Sequence, residues 1–139
     1  MDFDSCTDLI NHRTIRVSEN KRTFSIRNTR QRQIGKVKVD GCLITNSSTQ
    51  KCDYLFEIKG QNKEVFYVEL KGKDIERALS QIKNTIRLCE DRHNGINKKS
   101  FIVSSRVPTG TDIQKQLKSF YQTTGFPVQI KNKFLEVKI

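Results

Sequence analysis

Asp53, Glu69 and Lys71 are the residues whose types and spacing could do hydrolytic chemistry. Asp53 sits in the run KCDYLFEIKG (51–60), and Glu69-Leu70-Lys71 closes the apolar run of EVFYVELKG (64–72). Two carboxylates on neighbouring strands repel when they lie directly opposite each other. A bound divalent cation removes that cost, and hard oxygen donors suit Mg2+ or Mn2+. An ammonium two residues beyond Glu69 could then orient, or help deprotonate, an attacking water. The alternative is a surface ion pair between Glu69 and Lys71, which would contribute little to stability.

The elements that must position these groups are strands. In 51–60 Cys52, Tyr54, Phe56 and Ile58 alternate against Asp53, Leu55, Glu57 and Lys59, and in 64–72 Phe66, Val68 and Leu70 alternate against Val65, Tyr67, Glu69 and Lys71. With Gly60-Gln61-Asn62 as a three-residue loop, Glu57 pairs with Val65 and Asp53 falls opposite Glu69 on one partly solvated face. GKVKVDGCLIT (35–45) alternates too, so an antiparallel meander of three strands is expected, with Asp40 as a rival or additional carboxylate beside Asp53. A helix follows from Asp74, its N-cap, to about Glu90, with Ile75, Ala78, Leu79, Ile82, Ile86 and Cys89 on one stripe. KSFIVSS (99–105) reads as a strand. A second helix, capped by Thr111 or Asp112, ends at Gly125 and Pro127, and the remainder reads as a hairpin or one bent strand. The order is βββ-α-β-α-β, an α/β or mixed α+β fold with a mixed sheet flanked by helices.

The length of 139 residues suits one domain, 1–139. The net charge of +11 suits a polyanion, nucleic acid before an anionic membrane surface. Residues 13–38 supply much of that charge, with nine basic residues against Glu19 alone, and Phe24 and Ile26 interleaved among them predict an ordered strand or arm. Arg22, Arg27, Arg30, Arg32, Lys36 and Lys38 there, with Lys73 and Arg106 further on, are the candidate phosphate contacts; Arg77, Lys83 and Arg87 read as solubilising helix residues. No apolar run is long enough to span a bilayer, and the acidic start lacks the features of a signal peptide, so a cytoplasmic protein is expected. Its four cysteines (Cys6, Cys42, Cys52, Cys89) then read as reduced, mostly buried thiols. His12 and His93 read as isolated.

Asp53 followed after sixteen residues by Glu69-Leu70-Lys71, on a hairpin that leads into a helix, resembles the PD-(D/E)XK nuclease superfamily, the restriction-endonuclease-like enzymes. The resemblance covers about residues 36–105. It implies that Asp53 and Glu69 hold Mg2+ (or Mn2+) together with the backbone carbonyl of Leu70, and that Lys71 positions the attacking water. Gln81 stands where some members carry a helix glutamine at the site. Lys51-Cys52 replaces the family's Pro-containing lead-in, and no N-terminal helix supplies an extra glutamate. The resemblance further implies phosphodiester hydrolysis, in DNA rather than RNA, by a homodimer or a subunit of a larger complex. The alternative is a non-catalytic nucleic-acid-binding or tethering module on the same fold.

Overall fold

The strand periodicity around Leu55 and Phe56 has apolar residues on both faces, and both faces are covered. In the computed structural model, which describes residues 1–70, 72–106 and 110–139, Leu55, Tyr67 and Ile102 look toward helices while Phe56, Phe66 and Phe101 look toward a second sheet. The chain runs α1 (Phe3–Cys6), β1 (Thr7–Ile10), β2 (Thr14–Glu19), β3 (Arg22–Arg27), β4 (Ile34–Lys38), β5 (Tyr54–Ile58), β6 (Glu64–Glu69), α2 (Ile75–Leu88), α3 (Glu90–His93), β7 (Asn97–Ser104), α4 (Thr111–Thr124), β8 (Val128–Asn132) and β9 (Phe134–Lys138). Six strands form a mixed sheet in the order β1-β4-β5-β6-β7-β8, and β2-β3-β9 form a smaller one. The fold is mixed α and β.

β4, β5 and β6 are the expected antiparallel meander, and Glu57 does pair with Val65. β7 and β8 then add in parallel after α2 and α4. Asp74 caps α2 as expected, its side chain accepting from the Arg77 N–H at 3.1 Å. Gly110, not Thr111 or Asp112, occupies the N-cap of α4. Val39–Ile44 is a turn rather than the end of a strand: Gly41 takes a φ of +88° and Ile44 N–H returns to the Val39 carbonyl. Leu43 and Ile44 are buried all the same, so the apolar pattern there marks packing and not extension. The C-terminal segment is a bent chain. β8 closes the large sheet, Lys133 turns at a φ of +66°, and β9 lies parallel to β3 in the small sheet.

Two expectations from the sequence are corrected. Cys6 and Cys42 form a disulfide, which ties α1 to the turn after β4; only Cys52 and Cys89 are free, buried thiols. Burial first of all pushes the Cys89 thiol up to about 11. His93 is not isolated either. It is buried, with Nδ1 2.7 Å from the Tyr67 hydroxyl and Nε2 2.6 Å from Glu57. Arg92 forks onto the same carboxylate at 2.7 and 3.1 Å and stacks 3.9 Å from the centroid of the Phe3 ring. Burial alone would raise the Glu57 pKa, but hydrogen bonds from His93 and Arg92 outweigh it and hold the carboxyl well below the usual range. No helix among the described residues is long and apolar enough to cross a membrane.

Candidate active site

Asp53 and Glu69 meet at the edge of the sheet where β5 begins and β6 ends. Asp53 lies one residue before β5 but its backbone is already in the ladder: its N–H donates to the Val68 carbonyl at 3.1 Å and its carbonyl accepts from Val39 N–H at 3.0 Å. Glu69 is the last residue of β6. The period of two puts both carboxylates on the face that carries Leu55 and Tyr67, toward α2. That face is not the partly solvated one expected, because α2 covers it. Asp53 is 5% and Glu69 2% exposed, and both line a cleft of about 370 Å3 together with Asp40, Lys51, Arg77 and Gln81. Asp53 Oδ2 accepts from the Leu70 N–H at 2.8 Å, which fixes the carboxylate against the strand end.

Helix α2 sets the opposite wall. Arg77, Gln81 and Thr85 are spaced one turn apart on it, and Arg77 and Gln81 of that stripe line the cleft. Thr85 Oγ1 accepts the Cys52 N–H at 2.9 Å and donates to the Gln81 carbonyl at 2.9 Å. Asn84 Nδ2 donates to the Gln50 carbonyl at 2.7 Å. These two bonds clamp the lead-in to Asp53 onto the helix. Gly72 leaves no room for a side chain between β7 and α2: a Cβ there would stand 2.9 Å from Ile102 Cγ2 and 3.6 Å from Ala78 Cβ. Thr85→Val keeps the shape but leaves the buried Cys52 N–H without its acceptor. It is expected to cost about 1 to 3 kcal/mol, read as a lower thermal midpoint by calorimetry.

The structure brings Asp53, Glu69, Gln81 and Asp40 to one cleft. Lys71 lies outside the described residues. The Leu70 carbonyl is engaged elsewhere, accepting from Arg22 Nη1 at 3.2 Å. That bond also explains Arg22, which is buried and not a surface cation: residues 22, 24 and 26 form the inward face of β3, against the large sheet. Arg32 is likewise occupied, its Nη2 donating to the carbonyls of Lys59 and Gln61 at 2.9 and 2.5 Å, at the opposite end of β5 from the carboxylates. Arg27 pairs with Glu136 at 2.7 Å on the small sheet. Arg30 is exposed in the loop before β4. Lys36 and Lys38 project from the sheet face opposite to Asp53 and Glu69. Lys38, Lys73 and Arg106 do stand at the carboxylate edge, where β4, β6 and β7 end.

Lys51 and Arg77 are the cleft residues that sequence reasoning missed. The signal for Arg77 was present in its spacing of four from Gln81. Lys51 Nζ approaches Asp40 Oδ1 at 4.0 Å and donates to the Asn46 and Thr49 carbonyls at 2.6 and 3.2 Å. Behind the cleft, burial pushes the Cys52 thiol far up; the hydrogen bond with Thr85 opposes this, and the charges of Glu69 and Asp53 add to it. Among the described residues no three Asp, Glu, His or Cys side chains gather into a complete cation cage. The donor chemistry nevertheless fits Mg2+, which takes one or two carboxylates and fills its octahedron with water and substrate oxygens. Asp53 and Glu69 would be those two, with Asp40 at the rim. Comparison of the chain with protein-family models, with curated proteins and with solved structures gives no match.

Proposed function

We propose that this protein is a metal-dependent nuclease of the PD-(D/E)XK kind, acting on DNA. The observation that carries the reading is the convergence of Asp53, Glu69 and Gln81 on one cleft at a sheet edge. A meander, a helix and a returning parallel strand, as here, also resemble the core of the restriction-endonuclease-like fold. Bound between the carboxylates, Mg2+ would supply charge neutralisation at the scissile phosphate and a more acidic water.

The chain's own residues do the rest. The Leu70 N–H orients Asp53. Gln81, held on α2, offers an amide to a water or a phosphate oxygen. Lys71, two residues after Glu69, is assigned the water-positioning ammonium by its place in the motif. Lys51 and Arg77 set positive charge into an otherwise acidic cleft, which offsets the repulsion between Asp53, Glu69 and an incoming phosphodiester. Lys73 and Arg106 would hold flanking phosphates without reading bases.

Incubation with supercoiled plasmid and with linear single-stranded DNA, in Mg2+, Mn2+ or EDTA, tests the reading. Cleavage in either metal and none in EDTA is the expected result. Binding without cleavage under every metal replaces the nuclease by a non-catalytic binding module, and neither binding nor cleavage points to a tether.

A further inference from the structure

We infer that a second groove, on the neighbouring face of α2, binds a single-stranded nucleic-acid segment that leads into the carboxylate cleft. The inference deepens the nuclease reading and rests on it for the strand's destination. The groove encloses about 520 Å3 between α2 and the end of α4, and its cations are Lys83, Arg87 and Lys98. Residues 80, 83, 84 and 87 make a helical stripe adjacent to the Arg77–Gln81 stripe of the first cleft, so α2 forms a wall of both.

Three features point to a phosphate chain with unpaired bases. Among the described residues no carboxylate lies within ion-pair distance of Lys83, Arg87 or Lys98, although Glu90 stands at the rim. Lys98 is only 5% exposed, and its Nζ is held by the carbonyls of His93 and Ile96 at 2.9 and 3.1 Å, so its positive charge is fixed in place without being neutralised. Phe126 lines the same groove with the Lys98 ammonium 4.9 Å from its ring centroid, and an aromatic beside cations suits a stacked, unpaired base.

The two clefts are also connected. Gln50 lines both, and the Asn84–Gln50 hydrogen bond is the partition between them. From Gln81 to Arg87 the helix rises only about 9 Å, so a strand whose phosphates lie on Arg87 and Lys83 arrives beside Gln81.

The test is anisotropy of fluorescein-labelled oligothymidylate and of a blunt hairpin duplex with the whole protein in EDTA, so that cleavage plays no part. Lys83→Gln with Arg87→Gln keeps the stems of these surface side chains, and a circular-dichroism melt verifies folding. The expected result is oligothymidylate binding about 10-fold weaker, with a log–log salt slope shallower by about 1.4, or about 0.7 for each phosphate no longer neutralised. The duplex should be affected less, and Phe126→Leu should weaken the oligonucleotide only. An unchanged affinity and slope, or an equal weakening on duplex, overturns the inference. So does binding to phosphatidylserine vesicles that depends on Lys83 and Arg87 while oligonucleotide binding does not. Failure of the nuclease reading looks different: no cleavage in Mg2+, with this binding intact.

Discussion

Glu69→Gln is expected to lower Mg2+-dependent cleavage about 100- to 1000-fold, the scale seen when a group facing the charge of the transition state is removed. The substitution is close to isosteric and touches a side chain that is 2% exposed, so the fold should persist while the charge is removed. Asp53→Asn should act in the same way. Asp53→Ala should do more, because it also removes the acceptor of the buried Leu70 N–H, a further cost of about 1 to 3 kcal/mol in stability. Lys71→Ala should abolish cleavage and leave substrate binding in EDTA. The measurement is the initial rate of plasmid nicking, with thermal melts alongside. A Glu69→Gln protein that cuts at the parent rate would remove Glu69 from the site and the proposed function with it.

The second large effect lies in the polar cluster on the same sheet face, around Glu57. Glu57→Gln leaves Arg92 and His93 without the carboxylate that both engage, and breaking a buried charged pair from one side costs about 3 kcal/mol. The thermal midpoint should fall by about 10 °C. The pH dependence has a definite sign. The folded pKa of Glu57 is depressed, so its contribution is complete above the unfolded-chain value of about 4.3. It is lost as pH falls from there toward the lower folded value. Melts of both proteins from pH 7 down to pH 3 should therefore converge in acid. A gap that stays constant over that range would show that packing and not the carboxylate charge is at stake.

The meander was legible in the sequence because two signals agreed there. The alternation around Phe56 and Phe66 and the three residues Gly60-Gln61-Asn62 leave one register that keeps Glu57 against Val65, and that register carries Asp53 to Glu69. The helix stripe did as much for Gln81. Alternation misled at 39–44, where Gly41 takes a positive φ and the chain turns with its apolar residues still inside. Charge misled at Arg22 and Arg32. Both look like surface cations in a basic segment, but their partners are backbone carbonyls 48 and 27 or more residues away, which no local pattern reports. The Cys6–Cys42 bond and the Tyr67–His93–Glu57 chain are equally long-range. Lys83 and Arg87, which read as solubilising helix residues, line a groove once α4 is packed beside them, a placement the sequence does not report.

The switch of the chain at Lys133 from one sheet to the other has a kinetic consequence. β9 pairs with β3 across 111 residues, Thr23 against Phe134. Closing so long a loop is entropically unfavourable and makes folding slow. Until it closes, Phe24 and Ile26 stand on a two-stranded hairpin, and an isolated hairpin is marginal in water. The small sheet that holds Arg22 against the Leu70 carbonyl is thus completed late. A truncation before Phe134 is therefore expected to loosen the support of the strand end that bears Glu69, read as faster hydrogen exchange at Leu70.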